Sequence, residues 1–553
     1  MSNRNEAVST DIRFHPDRKA VPLVAGARDA LWEGSMAKRV NLDAMIPRED
    51  FGVEDGVYDM DLIPGFPITS LNRESPMRGL LRKPDFQRET NHWTPEQVVT
   101  FIASFLDNEL IPSLILWKSP RYVFVIDGGH RLSALRAWME DDYGDEAISK
   151  SFYNGHISRD QAKVAKRTRE LVESKVGRYS ALKGTVDHLN VGVEPDKRAA
   201  RLFTRALTLQ WVQGNASVAE TSFFKINSQG TPLDETEQTL IRNRKKAIAI
   251  SARAVLRSGT GHKYWSAFDE NARTEIERRS SELFKLLFQP ETDTPLKTLD
   301  VPLGGSVSPV DALGLLVEFL TVASSKQGSE IRHVSRHEDD EDGSGTIDVL
   351  RRALSVSVRI TGNQPASLGL HPAVYFYNER GKHSQFLFLG ITYLFAEKLR
   401  NNDDNFWKTF TSARLKMERF LIENKSLIGI ILQNLSKGQR VSKMRDLFDF
   451  LIARSSSEAT IKPEDAISHL GLKGRIYDVV AAVTSTHFSD DTKSEVFVKD
   501  ALKSAMQCTI CGGFLDVAKS VSYDHKTRVR EGGSGDSENL QMVHPFCNSG
   551  VKA

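Results

Sequence analysis

Three cysteines, Cys508, Cys511 and Cys547, lie in the last 46 residues of the chain, and His544 completes their spacing. An odd number of cysteines confined to one end fits a disulfide framework badly. Two i, i+3 pairs, Cys508 with Cys511 and His544 with Cys547, instead present four soft donors to one ion, a set suited to a closed structural Zn²⁺ site. A module of roughly 50 residues buries too little apolar area to hold itself together, so a metal staple would supply stability that its core lacks. The plainer reading is three reduced cysteines placed here by chance; the doubled spacing weighs against it. Between the two pairs stand Asp524-His525, Gly532-Gly533 and Asn539-Leu540, and Asn548 follows the last cysteine.

Taken together, these strings resemble the HNH, or ββα-metal, nuclease family with its zinc-knuckle decoration, over about the last 46 residues. The family usually has Cys where this chain has His544, an exchange zinc tolerates, and often Pro where it has Arg528. The resemblance implies phosphodiester hydrolysis, which needs a nucleophilic water, a countercharge for the developing dianionic phosphorane and help for the departing 3′ oxygen. His525 is assigned as general base on water, with Asp524 and Asn548 as oxygen ligands of one hard divalent ion, Mg²⁺ or Mn²⁺. Asn539, on the same resemblance, acts structurally by holding the loop that carries His525. Lys526, Arg528, Arg530 and Lys552 are candidate phosphate contacts, or equally ordinary solvated charges. A lone Asp-His pair is usually structural; the surrounding pattern is what favours catalysis here.

A second place where chemistry is expected is Asp127-Gly128-Gly129-His130-Arg131, where a buried strand feeds a helix. Backbone N–H groups at such a junction favour an anion, and Arg131 has the fork to meet phosphate oxygens. On spacing alone a Gly-Gly turn before a helix is more often only a turn, with Asp127 as an N-cap and His130 as a satisfied loop histidine. With Phe86-Gln87-Arg88, Trp93, Ile111-Pro112 and Ile226-Asn227-Ser228-Gln229-Gly230-Thr231-Pro232-Leu233, the junction resembles the GmrSD-type N-terminal domain family, related to the ParB and sulfiredoxin nucleotide-binding fold. That resemblance covers roughly residues 57–245 and implies that Gln87, Arg88, Asp127, Gly128, Gly129, His130 and Arg131 line a nucleotide or nucleic-acid phosphate pocket. The family commonly has Gln where this chain has Gly129, so an NTP is implied as a bound group more than as one turned over.

The elements that must position these residues follow from local pattern. Thr94 can cap, Pro95 suits the first helical position and Gln97 closes a capping box; Val98, Ile102, Phe105 and Leu106 then recur at helical spacing. Two β-rich runs follow, 113–117 and 122–126, separated by Lys118-Ser119-Pro120, and Leu132, Leu135 and Trp138 mark the next helix. Residues 150–201 hold 12 Lys or Arg against 6 Asp or Glu on a mostly helical pattern. Such a face is either simply solvated or a track for a phosphate backbone. The stretch 223–233 reads as a strand or helix end turning at Gly230, with Asp234 and Glu237 able to cap a new helix. Long amphipathic segments fill the middle of the chain, interrupted by an acidic, Gly-containing run at 337–345 that reads as an exposed loop.

The expected fold class is α+β and multidomain: a lead-in at 1–56, an α/β ParB/sulfiredoxin-like core at 57–245, a helical domain at 246–455, a linker and connector at 456–500, and a small zinc-stapled ββα-metal module at 501–553. The chain of 553 residues is 40% hydrophobic and 26% charged, which excludes extended disorder and fibrous repeats, and its net charge of +2 neither requires nor excludes a nucleic-acid partner. The longest apolar run, 386–396, is too short to cross a bilayer and the start lacks an apolar h-region, so a cytoplasmic protein with no membrane partner is expected. The two resemblances imply a metal-dependent endonuclease or nickase of a restriction or anti-phage system, acting on double-stranded DNA, with phage DNA as the expected source. Its N-terminal domain would sense DNA or a nucleotide and gate the nuclease, as monomer or homodimer, alone or with companion defence proteins. The competing reading is a nucleotide-gated ParB-like DNA-binding regulator without cleavage. A sulfiredoxin-like enzyme fits poorly, because the N-terminal domain contains no cysteine.

Overall fold

The computed structural model describes residues 39–51, 61–87, 92–155, 157–187, 197–229, 235–261, 264–305, 309–325, 333–457, 460–474 and 487–551. Arg88, Lys552 and the turn at Gly230 with its following Asp234 lie outside the described residues.

The N-terminal domain is built on a mixed sheet of six strands: β1 (Arg48–Glu49), β2 (Gly65–Pro67), β3 (Leu81–Pro84), β4 (Leu114–Lys118), β5 (Val123–Asp127) and β6 (Ala206–Val212), in the order β1-β3-β5-β4-β6-β2. The expected strand pair is present as β4 and β5, antiparallel, with β3 parallel to β5 and β6 parallel to β4. Residues 123–126 are buried without a break, as a central strand covered on both faces requires. Val123 and Val125 face one core with Val98, Ile102 and Leu132; Phe124 and Ile126 face another with Phe86, Trp117 and Phe223. The helix Pro95–Leu106 starts as its sequence predicts: Thr94 Oγ1 accepts from the Gln97 amide at 3.3 Å and Gln97 Oε1 accepts from the Thr94 amide at 2.9 Å. The segment around Phe223 is helical, Ala216–Gln229, and its ring packs under the sheet.

Residues 40–49, read from the sequence as the end of a loose lead-in, are integral to this domain. Val40, Leu42, Met45 and Ile46 are buried, and β1 forms the edge of the sheet. Their placement follows from Asp43, whose carboxylate takes Arg48 at 2.7 Å, Lys83 at 2.6 Å and Arg257 at 3.2 Å, all buried. Arg257 follows the helix Ala247–Leu256, so this charge cluster fastens the sheet domain to the helical domain.

The helical domain carries the largest core. Its helix Gln385–Arg400 is apolar nearly all round and accordingly buried, lying so close to helix Arg440–Ser455 that a Cβ at Gly390 would stand 2.6 Å from the Met444 Cβ. The acidic run does specific work: Asp340 accepts from the amides of Gly343, Gly345 and Thr346, at 3.1, 3.3 and 2.7 Å, where the helix Ser344–Ile360 begins. The basic face of 150–201 is largely balanced by acids, with Lys163 on Asp293, Arg167 on Glu96, Arg169 on Asp145, Arg178 on Glu173 and Arg198 on Asp107. That favours the solvated face over a phosphate track.

The chain enters its last module through the helix Asp490–Lys503. There, β7 (Ser522–His525) and β8 (Leu540–Val543) form an antiparallel ribbon followed by a helical turn, Cys547–Val551. The module has a small core of Cys508, Leu515, Val543 and Cys547, while Phe514 and Phe546 belong to the core of the helical domain. No helix among the described residues is long and apolar enough to cross a membrane.

Candidate active site and metal centre

Cys508, Cys511, His544 and Cys547 offer ligand atoms that all lie within 4.8 Å of one another, the one such group among the described residues. The Sγ atoms of Cys511 and Cys547 stand 3.3 and 3.9 Å from His544 Nδ1. A tetrahedral zinc with bonds of about 2.0 Å to nitrogen and 2.3 Å to sulfur separates such donors by roughly 3.5 Å. His544 Nε2 donates to the Phe514 carbonyl at 3.0 Å, which leaves Nδ1 as the lone-pair nitrogen aimed at the thiols. Burial and the nearby Arg414 hold this imidazole neutral, the form that binds metal. Hydrogen bonds from Cys511 and Cys547 pull the Cys508 thiol down, while the same contact pushes Cys511 up to about 11 and Cys547 higher still. Three thiols sharing protons this way need a cation before all can ionise. The donor set, its spacing and its tautomer fit Zn²⁺.

The ribbon carries the other candidates. Ser522 and Asp524 share one face of β7, two residues apart. Asn548, on the turn that follows the knuckle, donates through Nδ2 to Ser522 Oγ at 2.8 Å, so it lies against that face. Asp524 Oδ2 accepts from Gln541 Nε2 at 2.9 Å, and Gln541 Oε1 accepts from Thr509 Oγ1 at 2.7 Å, which ties the carboxylate to the zinc knuckle. His525 is the last residue of β7 and pairs with Leu540. Directly beyond it the loop is clamped by Asn539: Oδ1 accepts from the Thr527 amide at 2.7 Å, and Nδ2 donates to the carbonyls of Thr527 and Ser534 at 3.1 and 2.7 Å. Gly533 has to be glycine here, since a Cβ would meet the Thr527 oxygen at 1.9 Å. Lys526 Nζ donates to the Glu538 carbonyl at 2.6 Å, and Arg530 is well exposed beside Glu531.

At the strand-to-helix junction of the N-terminal domain, Gly128 has φ +96°, and a Cβ there would stand 2.3 Å from Leu114 Cδ2. No side chain caps the helix Gly129–Glu140 that follows. Gln87 Nε2 donates to the Val125 carbonyl at 3.2 Å, and the Gln87 amide packs against Gly129, where a Cβ would lie 3.3 Å from Oε1. His130 stacks on Trp93 with ring centroids 5.6 Å apart, and His92 beside it pairs with Glu237 at 2.6 Å. Arg131 is engaged locally, donating to Asp127 Oδ2 and to the carbonyls of Pro112 and Ser113. Its guanidinium is a staple of the turn. The structure thus gathers Gln87, Asp127, Gly128, Gly129, His130 and Arg131 in one place, with the arginine fork already engaged within the turn.

Comparison with known families agrees with both regions. Residues 70–244 match the GmrSD restriction endonuclease, N-terminal domain, and residues 508–553 match the HNH endonuclease family. The two matches in one chain support nuclease activity of a restriction-type system, with DNA as the substrate class they imply. No curated protein and no solved structure matches the chain. Sequence reasoning missed three contributors to the HNH site: Gln541, which orients Asp524, Ser522, which holds Asn548, and Thr509. Each is a common polar residue whose role exists only through contacts that folding makes, and no spacing announces it.

Proposed function

We propose that the protein is a Mg²⁺-dependent DNA endonuclease that nicks one strand per event, within a bacterial restriction or anti-phage system, and that its GmrSD domain senses DNA or a bound nucleotide and gates the HNH domain. What supports this reading is that Asn548 bonds Ser522 on the face of β7 that also carries Asp524, next to His525 at the loop end of the ribbon, with Asp524 tied through Gln541 and Thr509 to the Cys3His knuckle. In this reading His525 takes the proton of the attacking water. Asp524, oriented by Gln541, and Asn548, oriented by Ser522, hold the divalent ion, which when bound polarises the phosphate and stabilises the departing 3′ oxygen. Two oxygen donors plus substrate phosphate suit the ion's preference for few protein ligands. The Cys3His site holds Zn²⁺ and stays out of the chemistry. Lys526 and Arg530, on the segment that follows His525, would meet flanking phosphates.

One HNH site cuts one strand, so open circles are the expected product of a supercoiled plasmid, and linear DNA requires a second event or a second protomer. Gating has a physical route: Asp43 with Arg257 joins the GmrSD domain to the helical domain, and Phe514 and Phe546 root the HNH domain in the same helical core. The experiment is incubation of modified and unmodified phage DNA with Mg²⁺, with and without nucleotides. Cleavage that depends on the divalent ion and changes with modification or nucleotide supports the proposal. Binding in a gel shift without cleavage under any divalent ion would replace it with a DNA-binding regulator.

A further inference from the structure

The backbone of Phe514 is held from three directions. Its carbonyl accepts from His544 Nε2 at 3.0 Å and from Arg414 Nη2 at 3.4 Å, and its amide donates to Glu418 Oε2 at 2.7 Å. Arg414 and Glu418 stand one turn apart on the helix Asp404–Glu423 of the helical domain, with side chains 1% and 0% exposed. Arg414 Nε donates to Glu418 Oε1 at 2.6 Å, its remaining groups donate to the carbonyls of Leu368 and Gly369, and Tyr375 donates its hydroxyl to Glu418 Oε1 at 2.8 Å.

A buried ion pair is weak evidence for stability, because apolar residues of similar volume often serve as well. What this pair does specifically is fix the Phe514 backbone on both sides of its α-carbon, and the Phe514 carbonyl accepts from the second ring nitrogen of His544. Such outer partners set a ligating histidine's tautomer and orientation. The fit is tight on both sides of the knuckle. A Cβ at Gly513 would lie 2.5 Å from Arg414 Nε, and one at Gly369 would lie 3.1 Å from His544 Cδ2.

We infer that Arg414 and Glu418 are positioning residues of the nuclease: through Phe514 the helical domain supplies the outer shell of the Cys508, Cys511, His544 and Cys547 site. The inference rests on the zinc reading given above. The hold continues to the chemistry through Thr509 and Gln541, which link the knuckle to Asp524. The HNH domain is therefore completed by residues about 100 positions upstream of it.

The test uses the full chain, with zinc counted by elemental analysis, zinc release followed with a competing chelator, and the ligand-field spectrum of the Co²⁺-loaded protein. Glu418→Gln should release zinc about 10–100-fold faster and shift the Co²⁺ bands, and Tyr375→Phe should do so to a smaller extent with unchanged helical circular dichroism. Release rates and spectra equal to wild type in both variants would overturn the inference. If Glu418→Gln loses helical signal, Tyr375→Phe alone decides by the same readouts. Wild-type protein without zinc would remove the zinc reading and this inference with it, whereas zinc-bound wild type with indifferent variants removes only the inference.

Discussion

Gly533 shows how a residue without functional groups can control the chemistry next to it. Its α-carbon lies against the Thr527 carbonyl, in the loop that Asn539 clamps directly after His525. Replacing it with Ala forces that loop outward, and a displacement of about 1 Å at a reacting group costs on the order of 10²-fold in rate. Gly533→Ala should therefore lose about that much nicking activity while keeping its full zinc content; plasmid relaxation and elemental analysis on the same sample check both halves. The Asp-His pair, the Gly-Gly turn and the two i, i+3 donor pairs were legible in the sequence because each is a local signal. The partners that aim them were not: Gln541 reaches Asp524 only across the ribbon, and Arg131, whose fork suggests phosphate, is engaged by carbonyls of Pro112 and Ser113 that no spacing rule reveals.

Among the elements, the strand-turn-helix units of the N-terminal domain followed from caps and periodicity, since Thr94, Pro95 and Gln97 act within one turn of chain. What sequence could not show is where short polar segments become interior. The segment after the zinc knuckle is a case: Asp516 is almost fully buried, and burial, together with the nearby Asp300, raises its carboxyl to about 6 despite Lys519. Lys519 in turn contacts Asp300 at 3.2 Å and the Val301 carbonyl at 2.8 Å, so the seam between the HNH and helical domains is lined by these charges. Between the ordinary carboxylate range and about pH 6 the folded chain holds a proton on Asp516 that the unfolded chain has released. This contribution to stability is full at low pH and is lost as pH rises through about 6. Asp516→Asn should thus be more stable than wild type at pH 7.5 by on the order of 1–3 kcal/mol, with a correspondingly higher melting temperature, and show no gain at pH 4. Calorimetry at the two pH values checks the sign, and a variant less stable at pH 7.5 would contradict it.

For the whole molecule, the sequence suggested separable modules, and the structure joins them by buried charge. Asp43 holds Arg48, Lys83 and Arg257 together at the boundary of the GmrSD and helical domains. Removing its charge takes away a buried carboxylate that three buried cations all contact, a loss of about 3–5 kcal/mol for breaking such a pair. Asp43→Asn should lower the melting temperature and expose the boundary to limited proteolysis, with zinc still bound at the far end of the chain. These long-range pairs escape sequence reasoning because a buried arginine and a surface arginine look the same until the fold brings their partners together.

In the proposed mechanism His525 activates water for phosphodiester cleavage on a ribbon held by a metal-stapled knuckle. The direct test is the initial rate of open-circle formation from supercoiled plasmid in Mg²⁺, with wild type and His525→Ala at equal zinc content. A loss of about 10²–10⁴-fold in the variant, as expected for removal of a general base, is the predicted result. Equal rates from the two proteins would contradict the account.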